Sequence, residues 1–373
     1  MRINQIESEK MYTSEEITEY LNVSLRTTQR LLKSGELPSF KIQGQYRIRG
    51  IDALNYLSGV RIDSNNDIYE QENQNKPINL VNLLDIKPLE IKVNIKLANL
   101  VEESIDDFHI KSENLREKIT LDMGFICPGI KFSDDINLND KEFRILLQGI
   151  EIYKDSVDSL DEIFNKSELI IKKYAHEIIS REEVFVIIEK LRKTYPVIVE
   201  DVLGYDSNDK NKINIGQLTK ILKSLLREQV SIRNMRLILE SIADVIPFTA
   251  DIEQINEKVR ESLSRQICNS VSKDGIINVI GLDESLEKYL KENIKTDIYG
   301  SKIIHIDSNK SKDFMKSLID INKNSNASVI ICDHEIRKFL REMIERNFPS
   351  IAVLSYREIS KDYKVKLIDT IKV

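Results

Sequence analysis

The sequence predicts a mostly helical α+β protein with two folded parts joined by a polar linker. The chain has 373 residues, which is too long for one compact core. Hydrophobic residues make up 41% and charged residues 31%, which is typical of a globular protein and not of a disordered or fibrous one. Residues 61–86 are rich in Asn and Gln and lack sustained periodicity, so we interpret them as the linker. The folded parts are then residues 1–60 and 87–373.

Composition limits the compartment and the partners. The three cysteines, Cys127, Cys268 and Cys332, are widely separated and form no disulfide framework, which fits a reducing compartment. The N-terminus lacks the apolar segment of a signal peptide, and no apolar run approaches the roughly 20 residues that span a bilayer. We therefore expect a soluble, cytoplasmic protein without a membrane span. The net charge of -6 argues against non-specific nucleic-acid binding by most of the molecule.

Two short helices are predicted in the N-terminal part. Thr13 or Ser14 followed by Glu16 marks a helix start, and the Asn22-Val23 pair makes the turn that follows. Ser24 is then a suitable N-cap for a second helix over residues 25–34. At 100° per residue, this second helix is expected to direct inward the side chains of Leu25, Thr28 and Leu32.

The opposite face of the second helix carries a basic stripe, which we define as Arg26, Arg30 and Lys33. Thr27 and Gln29 flank it. Guanidinium groups can pair with a guanine edge or bind phosphates, while Thr and Gln supply shorter contacts in a groove. Taken alone, such a stripe is also typical of a solvated helix surface, so its meaning depends on the segment that follows.

That segment has the pattern of a β-hairpin wing. Residues 40–42 and 46–48 alternate like two strands, with residues 43–45 as the turn between them. A third helix over residues 51–57 is expected to close the core with Ile51, Leu54 and Leu57. From residue 23 to residue 49 there are six basic residues and one acidic one, a local charge of +5 in an acidic protein.

Four stretches of residues 11–58 resemble the excisionase/MerR type of winged helix-turn-helix domain. They are Tyr12-Thr-Ser-Glu-Glu-Ile17, Val23-Ser-Leu-Arg-Thr-Thr-Gln-Arg-Leu-Leu32, Gly35-Glu-Leu-Pro38 and Tyr46-Arg-Ile48. The resemblance implies that the second helix enters the major groove of DNA and that the wing contacts the backbone or minor groove. Such folds also serve as protein-binding modules. The DNA-binding residues are then expected to be Arg26, Thr27, Gln29, Arg30, Lys33, Lys41, Gln45, Tyr46 and Arg47.

The larger part is predicted to contain an α/β subdomain over 87–172, a helical subdomain over 173–272 and a C-terminal α/β subdomain over 273–373. Amphipathic periodicity predicts helices over 112–123, 140–147, 168–194, 215–227, 231–245, 251–270, 283–293, 311–322 and 334–347. Alternating or short apolar runs predict strands over 89–95, 143–152, 276–281, 302–306, 328–332 and 351–354. Residues 140–147 and 143–152 overlap, so helix and strand remain alternatives there.

Ordered stretches between about residues 88 and 360 resemble the cytoplasmic domain of the FHIPEP family, the export gate of flagella and type III secretion systems. They include residues 114–135, His176-Glu-Ile-Ile-Ser-Arg-Glu-Glu-Val184, Leu191-Arg-Lys-Thr-Tyr-Pro196, residues 226–240, Ser264-Arg-Gln-Ile-Cys268 and Val353-Leu-Ser-Tyr-Arg-Glu-Ile359.

Two departures from the family pattern bear on function. In place of the family's membrane domain, the chain carries the winged module, so we expect it to form no pore. Only the twenty residues from Tyr153 to Lys172 stand where the family has an inserted subdomain, which forms one wall of its chaperone and substrate docking cleft. We therefore expect that the chain does not dock chaperones and substrates in the manner of the family.

No catalytic pattern is present, so we expect no enzyme, cofactor or metal. The sequence lacks a phosphate-binding Gly-rich loop, a Gly-x-Ser-x-Gly elbow and a His-Glu-x-x-His helix. The run from Cys332 to Glu335 has metal-binding residue types, but Asp333 is more simply a helix N-cap and His334 a surface residue. Near His176, the spacing of Ser180 and Glu183 predicts a capping box.

Two functions remain open from the sequence. The first is a DNA-binding regulator whose export-gate-like part senses or oligomerises, with DNA and a second copy of itself as partners. The second is a cytosolic accessory component of a flagellar or type III secretion apparatus, whose module contacts proteins. The basic stripe favours the first, and the C-terminal resemblance favours the second.

Overall fold

The computed structural model describes residues 10–21, 23–34, 37–42, 45–57, 86–97, 105–204, 212–298, 302–324 and 327–372. All of the proposed linker except Ile86 lies outside these residues, as do Gly35, Glu36 and the Gln43-Gly44 pair of the predicted hairpin turn. The chain forms two compact units, residues 1–80 and 81–373, which we call the module and the body. None of the helices in the described part is long and apolar enough to cross a membrane.

The module has three helices and a three-stranded antiparallel sheet. Its elements in chain order are β1 (Met11–Thr13), α1 (Ser14–Leu21), α2 (Leu25–Ser34), β2 (Phe40–Ile42), β3 (Gln45–Arg49) and α3 (Gly50–Leu57). The strand order is β1-β3-β2, with both pairs antiparallel. The predicted helices and wing strands are confirmed. Strand β1 was not predicted, because three residues are too few to show alternation.

Local capping fixes where the first two helices begin. The Thr13 backbone N–H donates to the Glu16 carboxylate at 2.8 Å, and the Glu16 N–H donates to the Thr13 hydroxyl at 3.2 Å. The hydrogen bond from the Thr13 backbone is the main cause of the lowered pKa of Glu16. At α2, the Thr27 N–H donates to the Ser24 hydroxyl at 3.2 Å. Both predicted helix starts are thus confirmed.

The module core corrects one detail of the α2 prediction. Leu31, Leu32 and Thr28 are buried, whereas Leu25 is 38% exposed, so its expected inward orientation is wrong. The buried face of α2 is centred between Thr28 and Leu31, and Leu25 lies at its border in the first turn. The buried apolar side chains of the module are Tyr12, Ile17, Leu31, Leu32, Leu37, Ile48 and Ala53.

The body begins with a four-stranded mixed sheet covered by helices. Its elements are β4 (Leu89–Val93), α4 (Ile105–Met123), β5 (Ile130–Asp134), β6 (Glu142–Leu147) and β7 (Ile150–Ser156), in the order β5-β4-β6-β7. The predicted helix over 140–147 is wrong, because β6 occupies it. Alternate residues Phe143, Ile145 and Leu147 are buried, so the period of two decides the structure there.

A helical region follows. It contains α5 (Leu160–Lys173), α6 (Ala175–Ile178), α7 (Arg181–Thr194), α8 (Pro196–Val202), α9 (Ile215–Arg227), α10 (Met235–Val245), α11 (Ile252–Ser262) and α12 (Ser264–Val271). The single helices predicted over 168–194 and 251–270 are wrong, because the chain breaks at Tyr174, Ile179 and Leu263. The predicted capping box of Ser180 and Glu183 is confirmed and begins α7.

The C-terminal region contains a four-stranded parallel sheet. Its elements are β8 (Ile276–Leu282), α13 (Glu284–Glu292), β9 (Ile294–Thr296), β10 (Lys302–Ile304), α14 (Ser308–Asn324), β11 (Val329–Cys332), α15 (His334–Ile344), β12 (Ala352–Ser355) and β13 (Lys364–Ile371). The order is β12-β11-β8-β13, and β9 pairs with β10 separately. Asp333 caps α15 as predicted. Strand β13 was not predicted, because its alternation of charged and apolar residues is interrupted after Leu367, where its pairing with β8 has a bulge.

A close backbone contact joins the first sheet region to the helices. Gly124 ends α4 with a φ of +82°, and a Cβ there would lie 2.1 Å from the backbone N of Arg233. The neighbouring Ile232 N–H donates to the Met123 carbonyl at 2.9 Å. Only glycine therefore allows the segment between α9 and α10 to pack against the end of α4.

Replacing Gly124 with alanine is expected to lower the free energy of unfolding by about 3 kcal/mol or more, because the new methyl group meets rigid backbone at a left-handed φ. Gly129→Ala is the matched control, since nothing lies within 4 Å of its Cβ position. The control is expected to change stability by less than about 1 kcal/mol. Urea unfolding measures both, and equal stability of the two variants would contradict the close contact.

A group of six charged residues, four of them buried and two partly buried, joins the helical region to the parallel sheet, and we call it the arginine–glutamate cluster. Arg337 on α15 is fully buried and donates to Glu228 at 2.7 and 2.9 Å and to Glu257 at 2.6 and 2.5 Å. The cluster consists of Glu228, Glu257, Arg260, Arg337, Arg341 and Glu358, and Arg341 belongs to it through its charge, which acts on Glu228.

The cluster balances three positive charges with three negative ones. Arg260 donates to Glu358 at 2.7 Å and lies 3.2 Å from Glu228. Burial alone would raise the pKa of Glu228, but Arg260 and Arg337 outweigh that effect and hold the pKa at about 2. Glu228 therefore acts as a structural anion rather than as a proton donor.

Candidate functional site

The basic stripe lies on the exposed face of α2, which the module core holds in place. Leu31 and Leu32 are buried in the module core and hold α2 against it. The Thr18 hydroxyl of α1 donates to the Thr28 hydroxyl of α2 at 2.9 Å. The three stripe residues are all exposed, and no ion pair links them to any other residue of the described part of the chain. From Arg26 to Lys33 the chain advances by about seven residues, or about 10 Å along the helix axis. Within the described part of the chain, three cations without an ion-pair partner therefore lie on one face of one helix.

The two polar residues that flank the stripe differ in their freedom. The Thr27 hydroxyl lies 2.8 Å from the Ser24 hydroxyl and is half-buried, so it belongs to the N-cap of α2. Gln29 is exposed on the stripe side of the helix. Of these two, Gln29 is therefore the one whose side chain is free to reach a ligand.

The four wing residues lie on the two strands of the hairpin. Lys41 pairs with Tyr46 in the sheet register, and Gln45 pairs with Ile42. The Tyr46 ring packs partly against the module core, which leaves only part of it for an outside contact. Arg47 is half-buried, and its charge contributes to the lowered pKa of Glu16 after the Thr13 hydrogen bonds. Tyr46 and Arg47 are therefore less available for an outside contact than the sequence suggests.

A further basic residue of the module is neutralised locally. The Arg49 guanidinium donates to the Asp52 carboxylate at 2.9 Å, across the junction of β3 and α3. The i, i+3 spacing at the start of a helix was available in the sequence as a signal for this pair. Arg49 therefore differs from the three stripe residues, which have no ion-pair partner among the described residues.

In the body, the sheet passes to α5 through a very short connection. Val157, Asp158 and Ser159 alone separate β7 from α5, and the Ser159 hydroxyl accepts the Glu162 N–H at 3.3 Å as its N-cap. Asp158 also pairs with Lys141 at 2.5 Å. The place where the FHIPEP resemblance implies an inserted subdomain is thus a closed and capped turn.

A second polar contact secures the same turn. Lys166 on α5 donates to Asp155 at the end of β7 at 2.6 Å, and the Tyr153 hydroxyl donates to Asp155 at 2.7 Å. These two hydrogen bonds are the main causes that hold the pKa of Asp155 at about 2. The carboxylate therefore stays ionised and keeps α5 against the strand edge.

The residues with metal-binding or acid–base character have structural positions. Cys332 is buried, Asp333 caps α15, and the described residues include no group of three or more His, Cys, Asp or Glu side chains placed to hold a metal ion. His176 is half-buried, and burial is the main cause of its lowered pKa.

Comparison with known proteins gives two family matches. The model of the FHIPEP family matches residues 55–163 and 154–364, and a helix-turn-helix domain model matches residues 11–58. The two stretches of the FHIPEP match meet in residues 154–163, which contain the short connection between β7 and α5.

One curated relative is the flagellar biosynthesis protein FlhA of Bacillus subtilis, 23% identical over 376 residues. The alignment covers 85% of this chain and 54% of FlhA, so the chain spans about half the length of that relative. Because 85% of a 373-residue chain is far fewer than 376 residues, FlhA contributes positions that have no counterpart here.

Solved structures of secretion proteins share the fold. The Chlamydia pneumoniae CdsV protein in complex with CdsO aligns at a TM-score of 0.68 and 23% identity, over 77% of this chain and 98% of CdsV. The nonameric SctV-C of EPEC aligns at 0.65 and 21% identity, with the same coverage of 77% and 98%. The body therefore has the fold of these domains.

Proposed function

Because the chain belongs to the FHIPEP family, we propose that its body serves as a component of a flagellar or type III protein export apparatus on the cytoplasmic side. The observation that carries the proposal is the family match over residues 55–364, which includes the body as far as the first residue of β13. The body also has the fold of SctV-C and CdsV over nearly their whole lengths. This export role has more support than a purely regulatory one.

The partners follow from the same comparison. SctV-C is nonameric and CdsV forms a complex with CdsO, so we propose self-association and binding of an export-apparatus protein of the CdsO kind. The winged module would then link this assembly to a second partner, either DNA or a protein.

Deletion of the gene in its own host tests the export proposal. We expect less filament or effector protein in the culture medium, and restoration by the full chain. Complementation with a variant that carries alanine at Arg26, Arg30 and Lys33 distinguishes the contribution of the module to export from that of the body. Unchanged export in the deletion strain would contradict the export role, whereas loss of complementation by the variant would place the basic stripe within that role.

Self-association is expected for the full chain at micromolar concentration. A ring of the SctV-C kind uses two different surfaces of each copy, so association should increase steeply with concentration. Sedimentation velocity measures the distribution of species. A single monomeric species from low to high micromolar concentration would contradict this proposal.

The second candidate function is DNA binding by the module. The specific observation in its favour is the basic stripe, since Arg26, Arg30 and Lys33 are exposed and have no ion-pair partner among the described residues. Cations placed on one helix face suit phosphate and guanine contacts. The match to a helix-turn-helix domain model over residues 11–58 is consistent with this function.

Alanine at all three stripe residues is expected to remove specific DNA binding, because phosphate neutralisation dominates the affinity of so small a domain. In the wild type, the logarithm of affinity should fall with that of salt concentration at a slope of about -0.9 per phosphate contact, so roughly -3 to -6. Fluorescence anisotropy with genomic fragments at several salt concentrations measures it. The matched control replaces the exposed Lys288, Lys295 and Lys316 of the body by alanine and should bind normally. An equal loss of DNA affinity in both variants would indicate an effect of net charge and would contradict a specific role of the stripe in DNA binding.

A further inference from the structure

Helix α2 reverses the usual arrangement of polar and apolar side chains in its first two turns. Thr28 is fully buried and hydrogen-bonded to Thr18, whereas Leu25 is 38% exposed. Val23, just before the Ser24 N-cap, is also 38% exposed. The other exposed side chains described on α2 are polar or charged, so an apolar pair stands at the leading end of the basic stripe.

This position matters for a helix that enters a groove. In helix-turn-helix proteins the N-terminal residues of the second helix contact base edges. Leu25 is the first residue of α2, adjacent to Arg26, and Gln29 follows one turn later on the same side. An apolar side chain placed there meets the floor of the groove before the longer basic side chains reach the phosphates at its walls.

We propose that Leu25 contacts the 5-methyl group of a thymine in the target site. The thymine methyl is the apolar group that the bases of unmodified DNA present in the major groove, and aliphatic contact with it distinguishes thymine from the other bases. The inference rests on the proposed DNA binding of the module and adds to it a base preference that the three cations do not supply.

The size of the effect follows from the chemistry of one methyl group. Burying a single methyl against an aliphatic side chain is expected to change affinity about fourfold. The change should be independent of salt, because no counterion is released. It is therefore separable from the phosphate contacts of the stripe, whose contribution decreases with salt.

The test replaces thymine by deoxyuridine, which removes the methyl group and nothing else. A preferred duplex is first selected from a random pool with the full chain, and each thymine of that duplex is then replaced in turn. We expect the duplex to contain a thymine position at which replacement weakens wild-type binding about fourfold, measured by anisotropy at two salt concentrations. Leu25→Ala should bind the thymine duplex about as weakly as the wild type binds the deoxyuridine duplex, and should be insensitive to the replacement.

Two further variants make the result decisive. Leu25→Met keeps an apolar side chain and should retain the deoxyuridine effect, while Val23→Ala should leave it unchanged if Leu25 is the contact. Stripe-dependent DNA binding with the same deoxyuridine response in wild type and Leu25→Ala would overturn the inference and leave DNA binding intact. Absence of any selected duplex would overturn DNA binding and the inference together.

Discussion

Replacement of Arg337 by methionine is expected to lower the free energy of unfolding of the body by about 3 to 5 kcal/mol. The guanidinium donates to both Glu228 and Glu257 and is fully buried, so its removal leaves two carboxylates without their main partner. Methionine fills a similar volume, which keeps a cavity from dominating the result. Urea unfolding of the full chain, followed by circular dichroism, measures the change.

The matched control lies on the next residue of the same helix. Lys338 pairs with Glu253, but both side chains are partly exposed, so Lys338→Met should lower the free energy of unfolding by less than about 1 kcal/mol.

The difference in the free energy of unfolding between Arg337→Met and the wild type should also become smaller in acid. Glu228 in the wild type has a pKa of about 2, so its stabilising charge persists above the usual value of 4.5 and is lost as pH falls from there through 2. Equal costs for the two variants at neutral pH would contradict the central role of Arg337.

Much of the module could be predicted from the sequence because its signals are local. The capping residues Thr13, Glu16 and Ser24 lie within three residues of the groups they bind, and the alternation of the wing strands is visible in short segments. The exposure of Leu25 could not be predicted, because a helical wheel fixes which residues share a face but not where that face is centred.

The arginine–glutamate cluster could not be predicted because its partners are remote in the sequence. Arg337 binds Glu228, 109 positions away, and Glu257, 80 positions away. In the sequence Arg337 has the character of a surface residue on an amphipathic helix, and only tertiary packing buries it. The same limit applies to β6, a segment of six residues of which four are apolar. So short a segment fits either a helix or a strand until its pairing with β4 and β7 is known.

We further expect that the chain does not bind export chaperone–substrate complexes with the affinity of an export gate. The FHIPEP resemblance implies docking in a cleft between the first α/β subdomain and an inserted subdomain. In this chain, Val157, Asp158 and Ser159 alone connect β7 to α5, and the turn is capped and paired with Lys141. Three residues cannot form the second wall of a cleft.

Loss of one wall removes buried area together with the enclosed apolar contacts that supply most binding energy. One or two such contacts, at about 2 kcal/mol each, correspond to roughly thirtyfold to thousandfold weaker binding. Calorimetric titration of the full chain with a chaperone–substrate complex from the same organism measures this, with the cytoplasmic domain of that organism's membrane-bound export gate as the positive control. Comparable affinity of the two proteins would show that the short connection does not matter for docking, because the binding energy would then have to come from the surface of the first sheet alone.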